Sequence, residues 1–256
     1  MKKLIKEVLP PRMFFFFRQK LKKHFDEILL INDFLDYKDG VMFDVGSLNG
    51  FSFMPFLLKN WKVFAFEPDE NNYQGISKYL KKWNLKASLH KNAVSNIKET
   101  KTFYTSTSSK GIPSLLKFNN SQVPSYEVDT ITLKDFVIDN NISAIDFLKI
   151  DVEGYDLMVL EGFDFSKFKP RVIMCEFEDK KTVLLDYTVK DMGNFLIEQG
   201  YFLVYSIWHP IKEYGIQHDW KKLSTDIEEI ETDDWGNIIA FATKTDFDEF
   251  KRQYNF

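Results

Sequence analysis

Residues 41–50 (VMFDVGSLNG) constrain this chain more than any other stretch. The apolar run of Val41, Met42, Phe43 and Val45 is too brief for a helix and ends at Gly46 and Gly50, as a buried strand does on entering a tight turn. Asp44 stands at its tip. Residues 51–60 carry Phe53, Phe56, Leu57 and Leu58 at helical spacing, so the turn delivers the chain into a helix N-terminus. Glycine backbone admits a ligand without a Cβ in the way, and the free N–H groups of a helix start carry a positive partial charge. Asp44, Gly46, Ser47, Asn49 and Gly50 are therefore the first candidate contacts, for a nucleotide-like ligand.

Such a turn gains meaning when an acid closes the next strand. Residues 63–67 (VFAFE) supply it: Glu67 follows Asp44 at close to the ~20-residue offset at which a carboxylate grips ribose hydroxyls. The pattern D-x-G-x-x-x-G lacks the third glycine of the dinucleotide fingerprint, which argues against NAD.

Three further blocks narrow the reading: FEP at 66–68, VDTITL at 128–133 and FLKIDVEGYDLMVLEG at 147–162. With the turn, they resemble the FkbM family of class I S-adenosylmethionine-dependent methyltransferases over roughly residues 41–177. The resemblance implies a Rossmann-like α/β fold, with a seven-stranded mostly parallel sheet in the order 3-2-1-4-5-7-6 and helices on both faces. It implies S-adenosylmethionine as cofactor, with its methionine part against the glycine turn, its ribose at Glu67 and Pro68, and its adenine facing Asn92 and Ala93. The methyl acceptor does not follow from it.

The strand, helix, strand, helix order of residues 41–45, 51–60, 63–66 and 71–83 predicts a parallel sheet. Further strands are expected at 85–94, 145–150, 172–177, 201–207 and 238–243, and helices at 132–140 and 189–199. Residues 1–38 read as an N-terminal helical cap, with a helix over 14–34, and residues 39–256 as the methyltransferase domain. Strict alternation stops at 100–128, where a β-hairpin-like insertion is expected; Ser108, Ser109, Lys110 and Ser114 in its long connection are candidate substrate contacts.

Hydrophobic residues make up 44% and charged residues 28%, enough for a sizeable core, and a formal net charge of −4 offers no general basic field for nucleic acid. The lone Cys175 excludes an internal disulfide and suits the cytoplasm. Phe14, Phe15, Phe16 and Phe17 follow a basic start, but the apolar run is too short for a signal peptide or a spanning helix. Peripheral membrane contact by that segment is the alternative to a packed cap.

In open parallel sheets ligands bind beyond the C-terminal strand ends, so Asp44, Glu67, Asp151, Glu153 and Glu176 should converge on one rim. Methyl transfer from a sulfonium needs the donor carbon held against the acceptor oxygen, and a base for one proton. Asp151 is the first candidate base and, ending the strand beside that of Asp44, also a cofactor contact. Glu153 is the second, with anchoring of the following helix as its structural alternative. His209 is the third, ahead of His90, His218 and His24. Asp151, Glu153 and Glu176 would also suit a hard divalent cation, although nothing in the pattern requires a metal. Trp208, Trp220, Trp235 and Tyr214 offer faces on which a sugar could stack. The expected function is O-methylation of a sugar or glycan intermediate in cytoplasmic polysaccharide or secondary-metabolite biosynthesis. The alternative is a non-catalytic glycan- or nucleotide-sugar-binding module on the same fold.

Overall fold

The computed structural model describes residues 10–11, 13, 15, 25–106, 112–213, 216 and 218–256. In chain order the strands are β1 (Val41–Val45), β2 (Lys62–Phe66), β3 (Ser88–His90), β4 (Ala93–Val94), β5 (Thr100–Ser106), β6 (Gln122–Ile131), β7 (Phe147–Ile150), β8 (Val172–Glu178), β9 (Phe202–Trp208), β10 (Trp220–Ser224) and β11 (Trp235–Phe241). The main sheet runs β10-β9-β11-β8-β7-β1-β2-β3. Neighbouring pairs from β3 to β8 are parallel, β11 is antiparallel to both β8 and β9, and β10 is antiparallel to β9. The expected order 3-2-1-4-5-7-6 is present, with β10 added at the edge.

β10 was not foreseen because Trp220–Ser224 shows no apolar alternation. Edge strands carry charge as protection against further pairing, and here Lys221 reaches Glu231 at 2.8 Å and Asp234 at 2.7 Å. The expected third strand over 85–94 divides in two. β3 pairs with β2, while β4 leaves the main sheet to pair with β6 in a three-stranded sheet ordered β4-β6-β5. The division follows from competing backbone partners: the amide of Glu67 donates to the His90 carbonyl at 3.0 Å, whereas that of Ser95 donates to Ile131 at 2.9 Å. β5 and β6 pair antiparallel and carry the connection containing Ser114.

Central strands buried on both faces require near-continuous apolar sequence, and β7 and β8 are buried along their full length. Their side chains alternate between two cores. Phe43, Val45, Phe66, Leu148 and Ile150 fill one, and Met42, Phe53, Phe56 and Phe147 the other. Asp44 and Lys149 are direct cross-strand partners on the second face, a pair of charges inside an otherwise apolar layer.

The first described helix, α1 (Glu27–Phe34), is capped by Asp26, whose Oδ1 accepts from the Leu29 amide at 3.3 Å. α2 (Met54–Leu57) is much shorter than the helix expected over 51–60. α3 (Glu70–Lys82) is capped by Asp69, and α4 (Leu133–Asp139) by Thr132, which accepts from Asp135. They are followed by α5 (Asp156–Glu161), α6 (Asp179–Thr182), α7 (Val189–Glu198) and α8 (Lys244–Tyr254). α8 was not anticipated; Asp246 in its first turn holds Arg171 by two hydrogen bonds of 2.8 and 3.0 Å. No helix among the described residues is long and apolar enough to cross a membrane. Phe14, Phe16, Phe17, His24, Ser108, Ser109, Lys110 and Tyr214 lie outside the described residues, as does the part of the N-terminal segment on which membrane contact would depend.

Candidate functional site

The glycine turn is built by packing before any ligand enters. Gly46 has φ +78°, and a Cβ there would lie 1.9 Å from the Asp151 carbonyl oxygen, so the end of β7 occupies the space that a side chain would need. Gly50, at φ +74°, faces the Phe53 ring in the same manner and lines neither cavity described below. The turn is tied to β2 by the amides of Gly46 and Ser47, which both donate to the Phe66 carbonyl, at 3.0 and 3.1 Å. Asp44 is fully buried and accepts from Ser52 Oγ at 2.7 Å, and Ser47 Oγ donates to the Asp44 carbonyl at 2.9 Å. Burial pushes the Asp44 carboxyl up, opposed by Lys149.

Lys149 links the two strand ends. Its buried ammonium donates to the Gly46 carbonyl at 2.9 Å and lies 3.5 Å from Asp44 Oδ1 and 3.3 Å from Asp151 Oδ2. Asp151, with a side chain 40% exposed, is the open member of this group. Beyond it the chain turns sharply: Glu153 at φ +59° and Gly154 at φ +98° both take left-handed backbone. Glu153 is turned onto Lys181 Nζ at 2.6 Å, and the same ammonium reaches Glu176 at 3.1 Å and Glu178 at 2.8 Å. Burial raises the carboxyls of Glu153 and Glu176, opposed by Lys181. Carboxylate oxygens of Asp151, Glu153 and Glu176 lie within 4.8 Å of one another, but Lys181 already supplies the cation between Glu153 and Glu176, so a metal would have to displace a buried lysine.

Two cavities open on this rim. The first, with about 610 Å³ of empty volume, is lined by Glu67, Pro68, Asn92, Ala93, Glu153 and Tyr155 among others; the second, about 850 Å³, by Glu27, Ser47, Asn49, Glu176, Trp235 and Asn237 among others. Gly46, Leu48 and Asp151 line both. Glu67 is anchored by the amides of Leu48 at 2.6 Å and Asp69 at 2.9 Å, and burial pushes its carboxyl up to about 7 against those bonds. Ser114 is 2% exposed, and its Oγ donates to the Glu153 carbonyl at 3.0 Å, fastening the β5–β6 connection to the site.

The cavities thus bring together Glu67, Asp151, Glu153, Glu176 and the adenine-side pair Asn92 and Ala93, but not Asp44, which is buried behind the turn and lines neither, nor His209. His209 is exposed, lines neither cavity, and makes its hydrogen bonds through its backbone: its amide donates to Asp219 and its carbonyl accepts from Trp235. Trp208 and Trp220 are similarly committed. Trp208 Nε1 donates to Glu27 at 2.6 Å, and Trp220 stacks on Phe25 with centroids 3.9 Å apart, which leaves Trp235 as the tryptophan of that group lining a cavity. Sequence reasoning missed Lys149, Lys181 and Glu27. Lys149 had a visible signal, since a lysine inside the apolar run FLKI is costly unless partnered. Lys181 lies in ordinary polar helical sequence and Glu27 in the first turn of a helix, where an acid is common, so only the fold reveals their burial.

Residues 44–203 match the family model described as the methyltransferase FkbM domain. No curated protein sequence matches the chain. Among solved structures the chain is similar to precorrin-6y C5,15-methyltransferase from Geobacter metallireducens GS-15, at 13% identity and TM-score 0.46, over 83% of this chain and 85% of that one. It is also similar to M. capricolum TrmK solved with S-adenosyl-homocysteine, at 12% identity and TM-score 0.47, over 86% and 70%. A third is a SAM-dependent O-methyltransferase from Thermotoga maritima, at 15% identity and TM-score 0.41, over 84% and 64%. With the family model spanning more than half of its length and the strand order that the three blocks implied, this chain belongs to the FkbM methyltransferase family.

Proposed function

We propose that this protein transfers the methyl group of S-adenosylmethionine to a hydroxyl of a sugar or glycan-like intermediate, in a cytoplasmic biosynthetic setting. The observation that carries this reading is the meeting of the two cavities at Gly46, Leu48 and Asp151, where one half-exposed carboxylate faces both. When bound, the cofactor supplies an electrophilic methyl carbon on its sulfonium. Glu67, Pro68, Asn92 and Ala93 suit an adenosine in the first cavity, since the anchored Glu67 can accept from ribose hydroxyls. Asp151, steadied by Lys149, is the group placed to take the acceptor's proton. In the second cavity Glu176 and Asn237 are acceptors for sugar O–H donors, and Trp235 offers a ring to the sugar's apolar face. The test is incubation with methyl-labelled cofactor and a panel of sugar nucleotides and oligosaccharides. Label in protein or RNA, with every sugar untouched, would overturn the acceptor class.

Replacing Glu67 with Ala is expected to weaken cofactor binding by roughly 1.5–3 kcal/mol, the range for hydrogen bonds to a charged group. Affinity in the parent should also depend on pH. Because burial holds Glu67 near 7 and a ribose hydroxyl donates to its ionised form, binding releases a proton and tightens as pH rises through about 7. Calorimetry across pH 6 to 8 checks both expectations: the Glu67→Gln profile should be less steep than the parent's, what remains belonging to Glu153 in the same cavity, and a parent profile no steeper than the variant's would remove Glu67 from the ribose.

A further inference from the structure

Helix α1 contributes a carboxylate that its own anchoring does not exhaust. Glu27 is 8% exposed, and its Oε1 accepts from Ser206 Oγ at 2.7 Å, Trp208 Nε1 at 2.6 Å and Asn237 Nδ2 at 3.2 Å. All three donors fall on one oxygen, and Oε2 takes no hydrogen bond from another described residue. Glu27 lines the second cavity together with Ser47 and Asn49 of the turn, which puts its carboxylate at the wall of that space. A carboxylate held this firmly by one oxygen presents the other in a fixed direction.

The charge around it selects the kind of occupant. Among the described residues that line this cavity, Asp151 is matched by Lys149 and Glu176 by Lys181, whereas no described lysine or arginine forms an ion pair with Glu27. A largely buried carboxylate with hydrogen-bond donors but no ion-pair partner among the described residues favours a cation as its ligand. The methionine half of S-adenosylmethionine carries one on its α-amino group. We propose that Glu27 Oε2 binds the α-ammonium of the cofactor's methionine half, which makes α1 part of the cofactor site. This rests on the S-adenosylmethionine reading above. It goes beyond that reading in assigning a ligand to a residue outside the matched family domain. A purely structural Glu27 would tie α1 to β9 and β11 and leave the ligand alone.

Calorimetry with S-adenosylhomocysteine and its deamino analogue, in which hydrogen replaces the ammonium, separates the two roles. The parent should bind S-adenosylhomocysteine roughly ten- to a hundredfold more tightly than the analogue, as expected for a charged hydrogen bond. Glu27→Gln keeps an oxygen acceptor for Ser206 and Trp208 and places a neutral amide at Oε2, so it should bind the two ligands within about threefold of each other. Its thermal midpoint should stay within a few degrees of the parent's. If Glu27→Gln does not fold, Glu27→Asp serves, since it withdraws the charge by one methylene and should lose most of the preference. A parent that binds both ligands equally, or a variant that keeps the parent's preference, overturns the assignment alone. A parent that binds neither overturns the cofactor reading, and this assignment with it.

Discussion

Asp151→Asn will lower methyl transfer by about two to four orders of magnitude, the range that a positioned general base supplies, while cofactor affinity changes little. The substitution keeps the shape of the side chain and its place beside Lys149, which lies 3.3 Å from Asp151 Oδ2, and removes only the capacity to take a proton. Single-turnover rates with the acceptor found in the sugar panel, alongside calorimetry with S-adenosylhomocysteine, separate the step from the binding. Equal losses in rate and affinity would move Asp151 out of the chemical role and into the cofactor site, consistent with its lining both cavities.

Lys181→Met will destabilise the fold by about 3–5 kcal/mol, the cost of leaving buried partners of an ion pair uncompensated. Lys181 is 2% exposed and holds Glu153, Glu176 and Glu178, so its loss strands three carboxylates that are themselves mostly buried. Without the ammonium, burial holds the carboxyls of Glu153 and Glu176, already raised in the parent, higher still. Because burial already holds Glu153 at about 7 in the parent, the two proteins lose stability alike below that point, so the variant's extra deficit should be small below about pH 7 and grow as pH rises above it. Denaturant midpoints of parent and variant at pH 5 and pH 8 measure this. A deficit independent of pH would mean that Lys181 acts by packing, for which its 5.1 Å approach to the Phe118 ring gives a basis.

The parts of the fold legible in sequence were those written in period and punctuation. Val41–Val45 with its two glycines, the Glu67 offset and the buried runs of β7 and β8 required only short-range pattern, and the strand order then followed from family resemblance. β10 and α8 escaped because an edge strand and an exposed helix carry mostly polar sequence, and β3 and β4 were merged because their separation is decided by two sheets competing for one backbone. At the site, residues that line a cavity at strand ends were legible because topology alone puts strand ends on one rim. Lys181, Glu27 and the commitment of Trp208 and Trp220 were not, since each depends on contacts between segments far apart in sequence.

The 1.9 Å between a would-be Cβ at Gly46 and the Asp151 carbonyl has a consequence for how the enzyme can evolve and move. The glycine turn after β1 and the loop after β7, which the proposed reading gives to donor and acceptor, share one contact with no slack, like two jaws on a single pin. Neither can be re-aimed by itself: a drift of the β7 end to suit a new acceptor drags the cofactor turn with it, and any side chain added at the pin unseats both. On that reading, a change of acceptor must come from outside the pin, from the β5–β6 connection, helix α1 and the segment between β9 and β11.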